Sequence, residues 1–205
     1  MLGKTHMAVG VATSLVVTNP TTITEFVLGS GIGIVGAVIS DIDVGTSESH
    51  KEADKIIALV TLIMIAVGML DFFGGLGIWE KIKQNGVWYP KVIALLAFVG
   101  ICAYGREQPH RSFMHSFLAL GLLSVTMLFI YEPMVKYFVI GFISHIALDV
   151  FNYKKVRLLY PVKKGVCFKL AHSNGLVNDA AFITAIILGA LKVIAVSWGE
   201  IAACL

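Results

Sequence analysis

The chain has 205 residues, 57% of them hydrophobic and only 14% charged, with a mean hydropathy of +0.84. A soluble domain carries roughly 25% charged residues, so this composition excludes a globule that coats itself in water and predicts a surface largely covered by lipid. The net charge of +3 gives no sign of the concentrated basic face that a nucleic-acid partner needs. Cys102, Cys167 and Cys204 are too scattered for a disulfide framework or a zinc ribbon.

Seven apolar segments follow in chain order. The first, Thr5 to Val17, is short and suits a crossing, re-entrant or interfacial helix. It reaches Asn19-Pro20 without a small-residue cleavage site, so we expect it to stay in the mature protein. The second, Ile23 to Ser40, carries Gly29, Gly31, Gly33, Gly36 and Ala37, a small-residue stripe that lets membrane helices approach closely. No Gly-Lys-Ser/Thr follows it, so it does not read as a phosphate loop.

The third segment runs from Ile56 to Leu70 and extends toward Gly74-Gly75. The fourth runs from Val92 to Tyr104, the fifth from Phe113 to Ile130, the sixth from Val135 to Val150 and the seventh from Leu176 to Trp198. A spanning helix needs about 20 residues, and several segments fall short of that. No linker interrupts them. The expected fold is all-α, a polytopic membrane bundle of about six to seven apolar helices, with residues 1–205 as one integral membrane domain.

Charge then orients the bundle. Lys154, Lys155, Arg157, Lys163, Lys164 and Lys169 follow the sixth segment without an acidic residue, so the positive-inside rule makes this loop cytoplasmic. With seven crossings, Lys4, Lys51, Lys55, Arg106 and Arg111 share that side, while Lys81, Lys83, Lys91 and Lys136 lie outside. This predicts an internal N-terminus and an external C-terminus.

The residues capable of chemistry gather on the same predicted side. His145 and Asp149 are four apart, one turn along a helix face, inside the apolar run Val139 to Val150. Ionisable groups at membrane depth are costly and need a partner or a purpose. An imidazole and a carboxylate so placed can share a divalent metal or simply bond each other. Asp41 and Asp43 flank Ile42 and repel unless a cation lies between them; alone they read more readily as a solvated loop start or a helix cap. His110 and His115 flank Ser112, which reads as the N-cap of the fifth segment and would let the two rings converge. His6 alone is weak evidence, His50 sits among Glu48, Lys51 and Glu52 like a solvated loop residue, and His172 ends the basic loop. Jointly, histidine with aspartate and little cysteine is a ligand set for zinc, manganese or iron.

These residues resemble the pattern of the YdjM-like family of bacterial inner-membrane proteins, described as membrane-bound metal-dependent hydrolases. The matching pieces are Thr5-His6, Asp41-Ile42-Asp43, His110-Arg111 with His115-Ser116, Ser144-His145 with Asp149, and Leu159-Tyr160-Pro161 in the later loop. Ser40 stands where the family has proline and Met114 where it has threonine. The family's late glutamate has Asn178 or Asp179 as its only counterparts here.

The resemblance implies a multi-pass protein of the bacterial inner membrane with a divalent-metal cofactor, zinc foremost, manganese or iron otherwise. The expected metal ligands are His6, Asp41, His110, His115, His145 and Asp149. Asp41 or Asp43 is the expected general base, and Arg111 the expected holder of a phosphate or carboxylate. The leading expectation is hydrolysis of a phosphoester or lipid-linked substrate at the cytoplasmic face, with membrane lipid as the partner. A carrier using intramembrane His and Asp, and a non-catalytic membrane scaffold, are the competing readings.

Overall fold

The structure is a computed structural model that describes residues 2–44, 88–172 and 175–203. The third apolar segment, Ile56 to Leu70, lies outside the described residues, as do His50 and Cys204. Six α-helices make up most of what is described: α1 (Gly3–Thr18), α2 (Ile23–Val38), α3 (Trp88–Arg106), α4 (Phe117–Tyr131), α5 (Val135–Val150) and α6 (Leu176–Ala203). The expected all-α architecture holds. Among the described residues, the β-pairing amounts to an isolated antiparallel bridge between Val156 and Val166.

Local chemistry marks the helix ends. Asn19 closes α1 in the left-handed region at φ 49°, its N–H bonded to the Leu15 carbonyl, and Pro20 cannot continue the helix. Thr22 caps α2 by accepting from the Glu25 N–H at 3.1 Å. After Val38, α2 tightens into a 3-10 turn over Ile39–Asp43. The expected cap Ser112 is displaced by Ser116, whose hydroxyl accepts from Ala119 N–H at 3.2 Å. Phe113–His115 form a 3-10 turn of their own, so His115 precedes α4 instead of occupying its first turn.

The number of spanning helices is corrected. Among the described residues three stretches are long and apolar enough to cross a membrane, not six to seven: Ile23–Asp43, Phe117–Val150 and Leu176–Gly199. For α1, α4 and α5 the reason is length. Helices α1, α4 and α5 have 16, 15 and 16 residues, and at 1.5 Å per residue each falls short of a hydrocarbon core about 30 Å thick. The 34-residue stretch Phe117–Val150 is also a hairpin. His115, just before α4, lies 3.4 Å from Asp149 near the end of α5, so the chain turns back at Glu132–Met134.

Helix α2 packs against α1 and α5, α1 against α6, and α3 against α4. The small-residue stripe makes this possible. A Cβ on Gly36 would strike the backbone of Phe138, one on Gly141 the backbone of Gly33, and one on Gly10 the Ala37 side chain. Gly31 has open space around it and takes no part. The apolar core holds Phe113, Met114, Leu123, Phe138, Phe142 and Ile146.

The bundle has two unlike ends. At one, the beginning of α1, the 3-10 turn after α2, the Phe113–His115 turn and the last turn of α5 meet around the His/Asp cluster. The segment joining α5 to α6 lies over this end, with Arg157 N–H bonded to Arg111 O and Phe117 N–H to Leu158 O. At the other, Lys136 and the Tyr137 hydroxyl both donate to Glu25 at 2.8 Å.

Candidate metal centre

Each element delivers its ligand-type side chains for a local reason. The start of α1 brings His6. The 3-10 turn after α2 winds more tightly than an α-helix and presents both Asp41 and Asp43 toward the cluster. The turn before α4 brings His110 and His115 to a ring-centroid distance of 5.0 Å. In α5 the four-residue spacing places His145 and Asp149 on one buried face. His6, His115, His145 and Asp149 are all nearly sealed from solvent, at 2% exposure or less.

The donor atoms converge. His115 Nε2 lies 3.2 Å from His145 Nε2, 3.7 Å from Asp41 Oδ1 and 3.4 Å from Asp149 Oδ2. His145 Nε2 lies 3.6 Å from Asp41 Oδ1 and 4.0 Å from Asp149 Oδ2. His6 Nε2 faces Asp149 Oδ1 at 3.5 Å, and its ring stacks on His145 at 4.0 Å. Two separate triplets, His6–His145–Asp149 and Asp41–His110–His115, each have ligand atoms within 4.8 Å of one another.

The remaining ring nitrogens decide how these imidazoles are protonated. His145 Nδ1 bonds the Ala37 carbonyl, which only accepts, so the proton sits on Nδ1 and Nε2 presents a lone pair to the cluster. His110 Nδ1 donates to Asp43 Oδ1 at 2.8 Å, while His115 Nδ1 faces the other oxygen, Oδ2, at 3.5 Å. A carbonyl or carboxylate behind one ring nitrogen is how proteins fix the tautomer of a metal-binding histidine. Lone pairs of this kind, aimed at one another among carboxylates, are repulsive without a cation. Burial alone would push the His115 pKa down, but its bonds to Asp149, Asp41 and Asp43 outweigh that and hold it well above the usual imidazole value. A cation is wanted here, and a proton on His115 is one way to supply it.

The donor set suits a divalent ion. Nitrogen and oxygen ligands without thiolate fit zinc, manganese or iron, and the His/Asp groups can hold one. The model for the YdjM inner membrane protein family matches residues 1–205, the whole chain. The chain belongs to the YdjM inner membrane protein family. It is accordingly a protein of the inner membrane, in keeping with its three long apolar stretches. Neither the curated proteins nor the solved structures gave a match to it.

In this YdjM-family chain, all seven ligand-type residues singled out from sequence, His6, Asp41, Asp43, His110, His115, His145 and Asp149, meet at one end of the bundle. Arg111, at φ 63°, is turned inward. Its guanidinium donates to Asp149 Oδ1 at 3.2 Å and to the Lys154 carbonyl at 2.8 Å, tying the cluster to the basic segment.

His172 stacks on Tyr153 within that segment. Asn178, a counterpart of the family's late glutamate, is fully buried but accepts from Leu2 N–H and donates to Asp179, joining α6 to the start of α1. Sequence reasoning missed the Ala37 and Lys154 carbonyls. Backbone acceptors carry no residue-type signal, so only the fold reveals them.

Proposed function

We propose that this protein is a metal-dependent hydrolase of the membrane, acting at the cytoplasmic face on a phosphoester or lipid-linked phosphoester. The observation that carries the reading is the meeting of His6, Asp41, His110, His115, His145 and Asp149, with the tautomers of His145 and His110 set from behind by Ala37 and Asp43. A divalent ion bound there would polarise a substrate oxygen and acidify a water.

The chain's own groups divide the remaining work. Asp41 has 21% of its side chain exposed, against 0% for Asp43 and 3% for Asp149. Of the three carboxylates it is the one that a substrate or water reaches. Its Oδ1 faces His115 and His145, so its other oxygen is the proton acceptor. Asp43 has one oxygen toward each of the His110 and His115 Nδ1 atoms and acts as a positioning residue. Arg111 holds Asp149 in register and adds positive charge beside an anionic substrate. The basic segment Lys154 to Lys169 lies at the same end, which suits an anionic headgroup. A carrier needs polar groups near the membrane midplane, whereas these groups gather at one end of the bundle.

The test is bound zinc, manganese or iron per chain in detergent-purified protein, with release of phosphate or alcohol from phosphoester substrates. The parent should hold metal and turn over substrate. His145→Ala should lose both while still inserting, because removing a polar group from an apolar helix eases its partition. A parent that binds none of the three metals under replete conditions would overturn the proposal.

A further inference from the structure

We propose that the centre is dinuclear: one divalent ion on His6, His145 and Asp149, and a second on Asp41, His110 and His115. This rests on the metal-dependent reading above and adds the number of ions and which residue serves which.

The two triplets share no residue, and each brings two imidazoles and one carboxylate to within 4.8 Å. That is the three-ligand set of an open catalytic site, which leaves positions for water and substrate. They abut along a seam where His115 Nε2 and His145 Nε2 stand 3.2 Å apart. Asp149 straddles the seam, with Oδ1 toward His6 at 3.5 Å and Oδ2 toward His115 at 3.4 Å. One carboxylate aimed both ways is the arrangement of a bridging ligand, and paired catalytic ions sit about 3.5–4 Å apart.

The rival is a single ion on the inner four donors, His115, His145, Asp41 and Asp149. Their separations of 3.2, 3.4, 3.6, 3.7 and 4.0 Å also fit tetrahedral bonds of about 2.0–2.2 Å. That assignment leaves His6 and His110 outside.

One feature favours two ions, and a second is compatible with them. His6 is 2% exposed, its Nδ1 has no hydrogen-bond partner among the described residues, and its Nε2 points at Asp149. A buried imidazole anchored by so little else is accounted for as a ligand. The second feature is charge. Asp41, Asp43, Asp149 and Arg111 sum to −3 + 1 = −2 with neutral imidazoles. One divalent ion brings this to zero. Two bring it to +2, a charge that an anionic phosphoester would offset, so charge admits either count.

The experiment is metal counting on the full-length protein in detergent, loaded with Mn²⁺ and freed of excess, together with its electron paramagnetic resonance spectrum. Two ions per chain with a spin-coupled manganese signal are expected. His6→Gln and His110→Gln should each fall to one ion and lose the coupling, with helical content unchanged by circular dichroism. One ion per chain, uncoupled in the parent and retained in both variants, would overturn the dinuclear assignment and leave the hydrolase proposal standing. No ion in the parent would remove both. Where a variant fails to fold, the parent's stoichiometry and coupling decide alone.

Discussion

Asp43 shows how much one buried side chain can organise. Neither of its oxygens faces the donor seam; both face imidazole nitrogens on the far side of the rings. Asparagine in its place keeps the volume but offers a single acceptor oxygen, so one of the two rings loses its orienting partner. Asp43→Asn should weaken metal binding by roughly 10- to 100-fold, read by competition with a metallochromic chelator; an unchanged affinity would show that the rings are held by packing.

His115 adds a pH dependence. Its folded pKa is raised, so in metal-free protein its protonation contributes stability that is fully present below the unfolded value of about 6.5 and lost as pH rises through the folded value. A bound ion requires the neutral ring. Thermal unfolding with and without chelator should therefore show metal protection growing as pH climbs above about 6.5.

At the scale of elements, the site depends on how closely α2 approaches α5. Helix α2 carries Ala37 and leads into Asp41 and Asp43, while α5 carries His145 and Asp149. Gly36 and Gly141 are the points where the backbones nearly touch. Gly141→Ala should force the two helices apart, cost about 1–3 kcal/mol as other overpacked cores do, and reduce bound metal although no ligand has changed. Gly31→Ala, where a Cβ meets nothing, is the matched control and should leave both stability and metal content near the parent's. Equal effects from the two substitutions would break the link between helix packing and the site.

Across the whole molecule, the His/Asp cluster and the basic segment share one end, and α6 runs from there along α1 until Lys192 reaches Asn19 near the opposite end. If the basic end faces the cytoplasm, as the positive-inside rule expects, the end of α6 faces outward. A reporter fused after Leu205 should then be active only on the external side, and cysteine labelling at Lys163 only from the cytoplasm. A reporter active inside the cell would reverse that orientation.

Membrane residence, the all-helical class and the set of His and Asp residues that gather at one end of the bundle were legible in the sequence, because each rests on residue type and local spacing. A chain with 14% charge cannot cover itself in water. An apolar stretch must close its hydrogen bonds as helix, and a buried His or Asp needs a reason to be there. The number of spanning helices was not legible: hydropathy reports how apolar a segment is, whereas a turn such as Glu132–Met134 or a stop such as Asn19 cuts it into pieces too short to cross. The cap at Ser116 in place of Ser112 was lost for a similar reason, since a 3-10 turn over Phe113–His115 moves the helix start without altering the pattern. What only the tertiary structure decided was which atoms face one another. Which oxygen of Asp149 meets which imidazole, that Asp43 stands behind two rings, and that Ala37 fixes a tautomer all depend on distances of 3 to 4 Å between segments far apart in the chain, and spacing along a sequence does not encode them.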